Sequence, residues 1–442
     1  MPEHAELLTG WGRTAPTAAS VCRPRTADEV AAAVAASGPR GILARGLGRS
    51  YGDAAQNAGG TVLDLTGLDS IGPVDPATGE VTCGAGVSVD ALLRRTVADG
   101  WFVPVTPGTR QVSLGGAVAA DVHGKNHHRD GSLGVHVARL ELVDGRGERR
   151  TLTPHDELFR ATVGGMGLTG VVTSVTLRMI AISSAWLAVD TRRTADLDET
   201  MAVLADCDAR RRYSVAWIDC LAHGTALGRG VVTAADHLSE VDVPDRLSFA
   251  PRTRASVPPR VPPGLLGRRR MTLFNDAYHR AAPLRAFDVP TSTAAFFHPL
   301  DVLDGWNRLY GPGGFVQYQF VASDPAVVRG VLDGLRAARV PVLLAVLKRF
   351  GPGNDAPLSF PIEGWTLAVD IPARTPGLGA GLDAADRLVV ESGGRIYLAK
   401  DARTSPDTIA AMYPRLPEWR EVRAGADPRG VFTSDLARRL RL

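Results

Sequence analysis

Lysine is almost missing from this chain. Of 50 basic residues only Lys125, Lys348 and Lys400 are lysines, and the rest are arginines. Glutamine is as scarce, with four residues: Gln56, Gln111, Gln317 and Gln319. The four cysteines, Cys22, Cys83, Cys207 and Cys220, are scattered with no CxxC pair. That excludes a disulfide scaffold, argues against a zinc–cysteine site and fits a reduced compartment. No run of 18 apolar residues exists, so no membrane-spanning helix is expected. The opening MPEHAELLTG lacks the basic-then-apolar pattern of a secretory signal, and the bare expectation is a cytoplasmic protein. A net charge of +3 over 442 residues is a poor footing for nucleic-acid binding. What remains is globular: 45% hydrophobic, 22% charged, and long enough for about two domains.

The arginine bias reflects base composition more than fold, yet it acts as a filter. Where charge alone matters, the chain uses Arg. A retained Lys marks a position that needs a compact ammonium with a tunable pKa. The competing reading is chance survival on the surface.

Periodicity gives a helix over 26–37 capped by Thr26, strands at 42–44, 61–65 and 81–85, a helix over 87–97, and strands at 138–143 and 171–179. The first 190 or so residues thus read as an α+β domain rich in glycine turns. Residues 186–250 alternate helix and strand. Residues 251–270, PRTRASVPPRVPPGLLGRRR, read as a loop. Its six arginines could touch an anionic lipid surface or ligand, although a solvated loop is the favoured reading. Strands follow at 315–321, 341–347 and 365–371, with helices at 325–338 and 405–413.

Four constellations carry chemistry. In GLGRSYGD (46–53) three glycines follow a strand, a way to turn backbone N–H groups toward an anion. The spacing is not GxGxxG and no helix follows, so the dinucleotide fingerprint fails. Pro107-Gly108-Thr109 and Ser113-Leu114-Gly115-Gly116 form a second small-residue loop entering a helix, and residues 164–170 a third. Together they suggest an extended phosphate-bearing ligand, with three ordinary turns as the alternative. In DVHGKNHH (121–128) His123 and His127 have i, i+4 spacing, but Gly124 weakens a helix, no HExxH glutamate is present and Lys125 repels a cation. No metal is expected. In FVQYQF (315–320) Gln317 and Gln319 share one face of a strand and could hold a polyhydroxylated ligand, unless this is a solvent-facing edge.

These segments together resemble the vanillyl-alcohol-oxidase-like FAD enzymes, with an FAD-binding domain of the PCMH type. Among them the chain is most similar to the actinobacterial members that act on polyprenyl-phosphate pentoses. The resemblance runs through GWGR (10–13), ARGLGRSYGD (44–53), PGTRQV (107–112), HGKNHH (123–128) and GLTG (167–170). It continues through HPLD (298–301), WNR (306–308), YGP (310–312), QYQF (317–320), APLSFPI (356–362), AKDAR (399–403) and MYP (412–414). It implies a two-domain α+β fold. An FAD-binding domain would be formed by 1–187 and 395–442, with an antiparallel-sheet substrate domain, 188–394, inserted between.

By the same resemblance FAD contacts fall on Ala44, Arg45, Gly46, Leu47, Gly48, Arg49, Ser50, Tyr51, Gly52, Asp53 and Ala54. They also fall on Gly108, Ser113, Leu114, Gly115, Gly116, Ala120, Asp121, Val122, His123, Val172 and Tyr397. Relatives with covalent flavin carry a histidine where this chain has Arg49, so non-covalent FAD is expected. The implied reaction oxidises the ribose 2-hydroxyl of a polyprenylphosphoryl-β-D-ribose to the 2-keto sugar. Electrons would pass to a quinone-type acceptor. A separate NADH-dependent reductase partner would complete the epimerisation to an arabinose donor for cell-wall polysaccharide. Lys400 would be essential, with His123, Lys125 and Tyr51 beside it, and Gln317, Gln319, Lys348, His298 and Ala368 lining the substrate site. Mycobacterial members carry cysteine at Ala368, where nitroaromatic inhibitors attach, and tyrosine at Phe297; both changes are expected to alter the pocket wall. Those relatives are regarded as periplasmic, and peripheral membrane contact is expected through the lipid substrate. Two other readings remain: an FAD oxidase of a soluble sugar, alditol or aldonolactone using O₂, and a silent nucleotide-binding scaffold.

Overall fold

The computed structural model describes residues 4–239, 245–262 and 264–442. The parts of the sequence readings that fall on residues 1–3, 240–244 and 263 lie outside the described residues. Three larger sheets organise the chain. The first, in order β1 (His4–Leu8), β2 (Thr17–Cys22), β4 (Thr61–Asp64), β3 (Ile42–Arg45), is mixed, with β2, β4 and β3 parallel. Helix α1 (Ala27–Ala35) starts where the Thr26 side chain accepts from the Glu29 amide. Its Val30 and Val34, one turn apart, bury against Ile42, Leu63 and Phe432.

The second sheet is antiparallel, in order β5 (Glu80–Gly84), β8 (Val171–Arg178), β6 (Val137–Val143), β7 (Arg149–Leu152). Helices α2 (Val89–Thr96) and α3 (Leu114–Ala119) bury Leu92, Leu93, Leu114 and Val118 in the same cluster as Val81, Leu140 and Val175.

The third sheet takes eight strands from Trp186 to Ile396. They are β9 (Trp186–Thr194), β10 (Tyr213–Ile218), β11 (Gly230–His237), β12 (Arg285–Ser292), β13 (Phe315–Ala322), β14 (Leu344–Phe350), β15 (Gly364–Pro372) and β16 (Arg395–Ile396). Their spatial order is β12-β9-β11-β10-β14-β15-β13-β16, every neighbouring pair antiparallel. Alternation sorts the side chains. Leu347, Leu367, Val369, Ile371 and Phe320 go under α4 (Leu197–Arg210), α6 (Pro325–Ala337) and α7 (Leu378–Glu391), where they form one core with Leu204, Leu335 and Leu382. Residues 344, 346 and 348, 366, 368 and 370, and 317 and 319 face the opposite way. Because β13 lies between β15 and β16, the solvent-edge reading of Gln317 and Gln319 does not hold.

The tail returns to the first sheet. Helices α8 (Pro406–Met412), α9 (Leu416–Ala426) and α10 (Asp435–Leu440) follow, Phe432 bridges Ile42, and the Trp419 indole donates to Ala161 O at 2.9 Å. The loop reading of 251–270 needs one correction. Its proline- and glycine-rich part ends at Gly267, and Arg268–Arg270 form the first turn of the 14-residue helix α5 (Arg268–Ala281), carried by the helix-compatible residues after them. Lys348 likewise lies inside β14, two residues before its end.

Candidate active site

A cleft, open at its mouth, runs between the two glycine loops and the free face of the third sheet. The first wall is the loop 46–51. The second is 107–109 with the start of α3. They meet where Gly46 passes Ser113: a Cβ on Gly46 would sit 1.8 Å from Ser113 Oγ, so only glycine lets the walls close this far. The backbone N–H groups of Leu47, Gly48, Arg49 and Ser50 donate to nothing among the described residues, while all four residues line the cleft. Such a run of free amides is a binding surface for phosphate oxygens. The Arg49 guanidinium stacks 4.0 Å from the Trp11 ring and donates to Gln111 O at 2.9 Å, tying the two walls.

The sheet supplies the floor. Register places Leu344, Asp370 and Gln317 in one row across three strands, and Val346, Ala368 and Gln319 in the next. Gln317 Nε2 donates to Asp370 Oδ1 at 2.5 Å. Gln319 Nε2 contacts Thr366 Oγ1 at 3.1 Å and His123 Nε2 at 3.0 Å. His123 Nδ1 is 2.9 Å from Lys348 Nζ, which also donates to Gly124 O at 3.3 Å. Tyr397 donates to Ala120 O at 2.7 Å and stacks on Phe360.

Lys400 enters from the tail. Its turn is fixed by Lys400 N donating to Tyr397 O and Tyr51 N donating to Ala399 O, and its ammonium sits 3.6 Å from the Tyr51 ring centroid. Burial lowers Lys400 from 10.5 to about 7, with Asp370 pulling the other way and Lys348 adding to the fall. Burial also brings Lys348 to about 7. It raises Asp370 to about 6, against the Gln317 hydrogen bond and Lys400. His123 is held well below its ordinary value by burial and by Lys348, and is neutral. The site thus holds two amines poised near neutrality, one carboxyl group and two amides.

Not every residue expected in the site reaches the cleft. Gly46–Tyr51, Gly108, Ser113, Gly116, Ala120, Val122, His123, Gln317, Gln319, Lys348, Ala368, Tyr397 and Lys400 line it. The remaining residues brace it instead. Ala44 and Arg45 end β3, and the Arg45 guanidinium donates to Thr9 O at 2.8 Å and Ala55 O at 2.7 Å, drawing the first loop closed. Gly52 packs on the Asp401 carbonyl, and Asp53 pairs with Arg439 at 2.7 Å, which also reaches Asp401 at 2.8 Å. Ala54, Leu114 and Val172 are core. Gly115 donates to Ala85 O at 2.8 Å. The Asp121 carboxyl group turns away to accept from Ser132, Gly134 N, Asn354 and Ser359.

His298 lies behind the second loop, its Nε2 2.9 Å from Thr106 Oγ1. Lys125 is one shell back: its ammonium bonds Phe296 O and sits 4.2 Å from the Phe296 ring. Phe297 is in the core against Tyr213 and Phe102, so of the two expected wall changes only Ala368 is on the wall. Residue-type reasoning missed Asp370 and Thr366. The period-two spacing from Ala368 was the signal that could have found them.

Comparison with known proteins supplies the family. Residues 18–153 match the family described as FAD binding domain, and residues 325–440 match D-arabinono-1,4-lactone oxidase. The decaprenylphosphoryl-β-D-ribose oxidase of Mycolicibacterium smegmatis is 44% identical over 100% of this chain and 98% of its own length. The chain belongs to the decaprenylphosphoryl-β-D-ribose oxidase family. An alditol oxidase from a Streptomyces species is 34% identical, but over only 38% of this chain and 41% of its own. As a member of this family the chain is an FAD-dependent oxidoreductase of two-domain, vanillyl-alcohol-oxidase-like α+β fold. The cleft fits FAD on its own terms. The four unpartnered amides of 47–50 suit a diphosphate, and the apolar stretch past Ala117, Ala120 and Val122 suits a flat ring system leading toward Lys400.

Proposed function

We propose that this chain oxidises the ribose 2-hydroxyl of a polyprenylphosphoryl-β-D-ribose to the 2-keto sugar. The observation that carries the reading is the convergence of Lys348, from a central strand of the third sheet, and Lys400, from the turn after its last strand, on the same cleft as Gln317 and Gln319 in a chain with three lysines. The Mycolicibacterium smegmatis relative, matched over 98% of its own length, is named for that substrate. FAD, when bound, supplies the hydride acceptor for the carbinol C–H. Lys400 does the proton work: as a neutral amine it takes the hydroxyl proton while the C–O bond becomes C=O. Its lowered pKa suits that task at neutral pH. Asp370, on the same floor, stabilises the ammonium so formed. Gln317 and Gln319 present amide groups to the ribose hydroxyls, and Lys348 offers a cation to the phosphate. His123 holds Lys348 and Gln319 in register, and Tyr51 closes one side of Lys400 against water.

The FAD is held without a covalent bond, since Arg49 occupies the position of the linking histidine and is committed to Trp11 and Gln111. Denaturation should release free flavin. A quinone-type acceptor removes the electrons, and a separate NADH-dependent reductase consumes the keto sugar. The test is turnover of farnesylphosphoryl-β-D-ribose with a quinone or dye acceptor. The reading requires a product two hydrogens lighter that borodeuteride labels at C2. The match to D-arabinono-1,4-lactone oxidase over the C-terminal part favours one other reading, an oxidase of soluble sugars. Steady peroxide release with free alditols or lactones and no turnover of the lipid sugar would select it.

A further inference from the structure

Helix α5 is inside out. Amphipathic helices on a protein surface bury their apolar stripe and expose the polar one. Here the polar side docks: Asn275 is buried and donates to Asp219 at 2.8 Å, Asp276 pairs with Arg229, and His279 is bonded to Thr194 O at 2.9 Å. The apolar side is left in solvent, with Leu273 at 71% and Phe274 at 55% exposure and Tyr278 beside them at 45%. Past the helix, Leu284 and Phe287 are exposed as well. Phe274 stacks on Tyr278 one turn on, with ring centroids 6.1 Å apart, and such an exposed apolar face marks an interaction surface.

Its charge names the partner. Residues 251–287 hold eight arginines and a single acid, Asp276, which is already paired. Arg268, Arg269 and Arg270 are exposed in the first turn of the same helix. An exposed apolar ridge beside unneutralised arginines fits an anionic lipid surface, with the apolar groups entering the acyl boundary and the guanidinium groups meeting the phosphates.

The patch lies next to the cleft. Trp217 pairs with Val346 across β10 and β14, so the two side chains share a face, and Val346 lines the cleft. Tyr278 packs on Trp217 with ring centroids 4.8 Å apart. On the other side, Ala255–Ser256 runs parallel to Leu303–Asp304, between Leu300 and Trp306 of the cleft lining.

We infer that α5 and the arginine-rich segment leading into it dock the protein on an anionic membrane, with the cleft mouth beside the bilayer. The purpose, keeping a prenyl tail in lipid while its sugar reacts, rests on the proposed substrate. The docking itself does not, and is tested without substrate. Vesicles of equal parts phosphatidylcholine and phosphatidylglycerol are floated with the FAD-loaded protein. Binding is expected to these vesicles, to fall in high salt, and to be much weaker with phosphatidylcholine alone. The Leu273→Ser/Phe274→Ser variant should partition roughly tenfold or more less strongly, and Arg268→Ser/Arg269→Ser/Arg270→Ser likewise. Both variants should keep the flavin spectrum and the turnover of a short-chain soluble substrate. The docking proposal is overturned if the full chain stays out of anionic vesicles at low salt, or if both variants bind as the parent does. It is also overturned if the apolar variant instead dissolves a dimer that light scattering detects in the parent.

Discussion

Lys348 Nζ lies 2.9 Å from His123 Nδ1, while the other nitrogen of that ring lies 3.0 Å from the Gln319 amide. A neutral imidazole has one N–H, so the charge on Lys348 decides which way it points. Charged, Lys348 donates to Nδ1, and Nε2–H is left to donate to the Gln319 carbonyl oxygen. Neutral, Lys348 accepts from Nδ1–H and Nε2 accepts from the Gln319 amide. With Lys348 brought to about 7, this exchange falls at neutral pH. Histidine NMR should show His123 neutral throughout and changing tautomer through that pH, and Lys348→Met should abolish the change. An imidazolium signal at neutral pH would contradict it.

Flavin-free protein should gain stability as pH rises from neutrality. Lys348 and Lys400 titrate near 7 when folded and near 10.5 when unfolded. Below about 7 both states hold these protons and the buried charges weigh fully on the fold. Between about 7 and 10.5 the unfolded chain binds more protons, so unfolding becomes harder as pH rises. Thermal melts of Lys348→Met/Lys400→Met should start higher at neutral pH and show a flatter rise.

Lys400→Ala should keep its flavin and lose roughly 10²–10⁴-fold in the rate of flavin reduction, the range for removing a general base. Asp370→Asn makes a finer test. Asp370 raises the Lys400 pKa, so removing its charge lets that pKa fall further, and the acid limb of the kcat/KM profile should move to lower pH. A limb that stays in place would remove Asp370 from the proton path.

Much of this site was legible as sequence. The lysine filter picked out Lys348 and Lys400, and the Gln317–Gln319 spacing put two amides on one face. Lys125 passed the same filter, yet its ammonium turned to Phe296 O, because a residue count cannot say which way a loop side chain points. Asp53 and Asp121 are cofactor contacts by the family resemblance alone, the first in GLGRSYGD and the second in DVHGKNHH. Their carboxyl groups anchor distant segments: Arg439 for Asp53, and Asn354 and Ser359 for Asp121. Their partners lie more than 200 residues away, and no local pattern encodes such pairs. Asp370 escaped because its row with Gln317 exists only once β13 and β15 pair.

The closeness of the two walls can be tested at Gly46. Gly46→Ala forces a methyl onto Ser113 Oγ, 1.8 Å away, an overpacking that costs about 1–3 kcal/mol and spreads the cleft. FAD affinity should fall, and Ser113→Gly in the same chain should restore most of it. Failure of the rescue would mean the two loops do not set the cofactor's seat through this contact.

Ala368 faces the cleft between Gln319 and Val346, and none of the four cysteines lines it. Nitroaromatic inhibitors that attach to a cysteine at this position in mycobacterial relatives should therefore leave no adduct on this chain. Ala368→Cys should acquire one, read by intact mass. An adduct on the unmodified chain would place a reactive thiol where this structure has none.

The most direct test of the central claim is the visible flavin band under anaerobic conditions, before and after farnesylphosphoryl-β-D-ribose is added. The parent chain should bleach with this lipid sugar and not with free ribose, and Lys400→Ala should stay yellow in both. Bleaching by free sugars with no response to the lipid sugar would contradict the proposed substrate, and a chain that cannot be loaded with FAD at all would contradict the site itself.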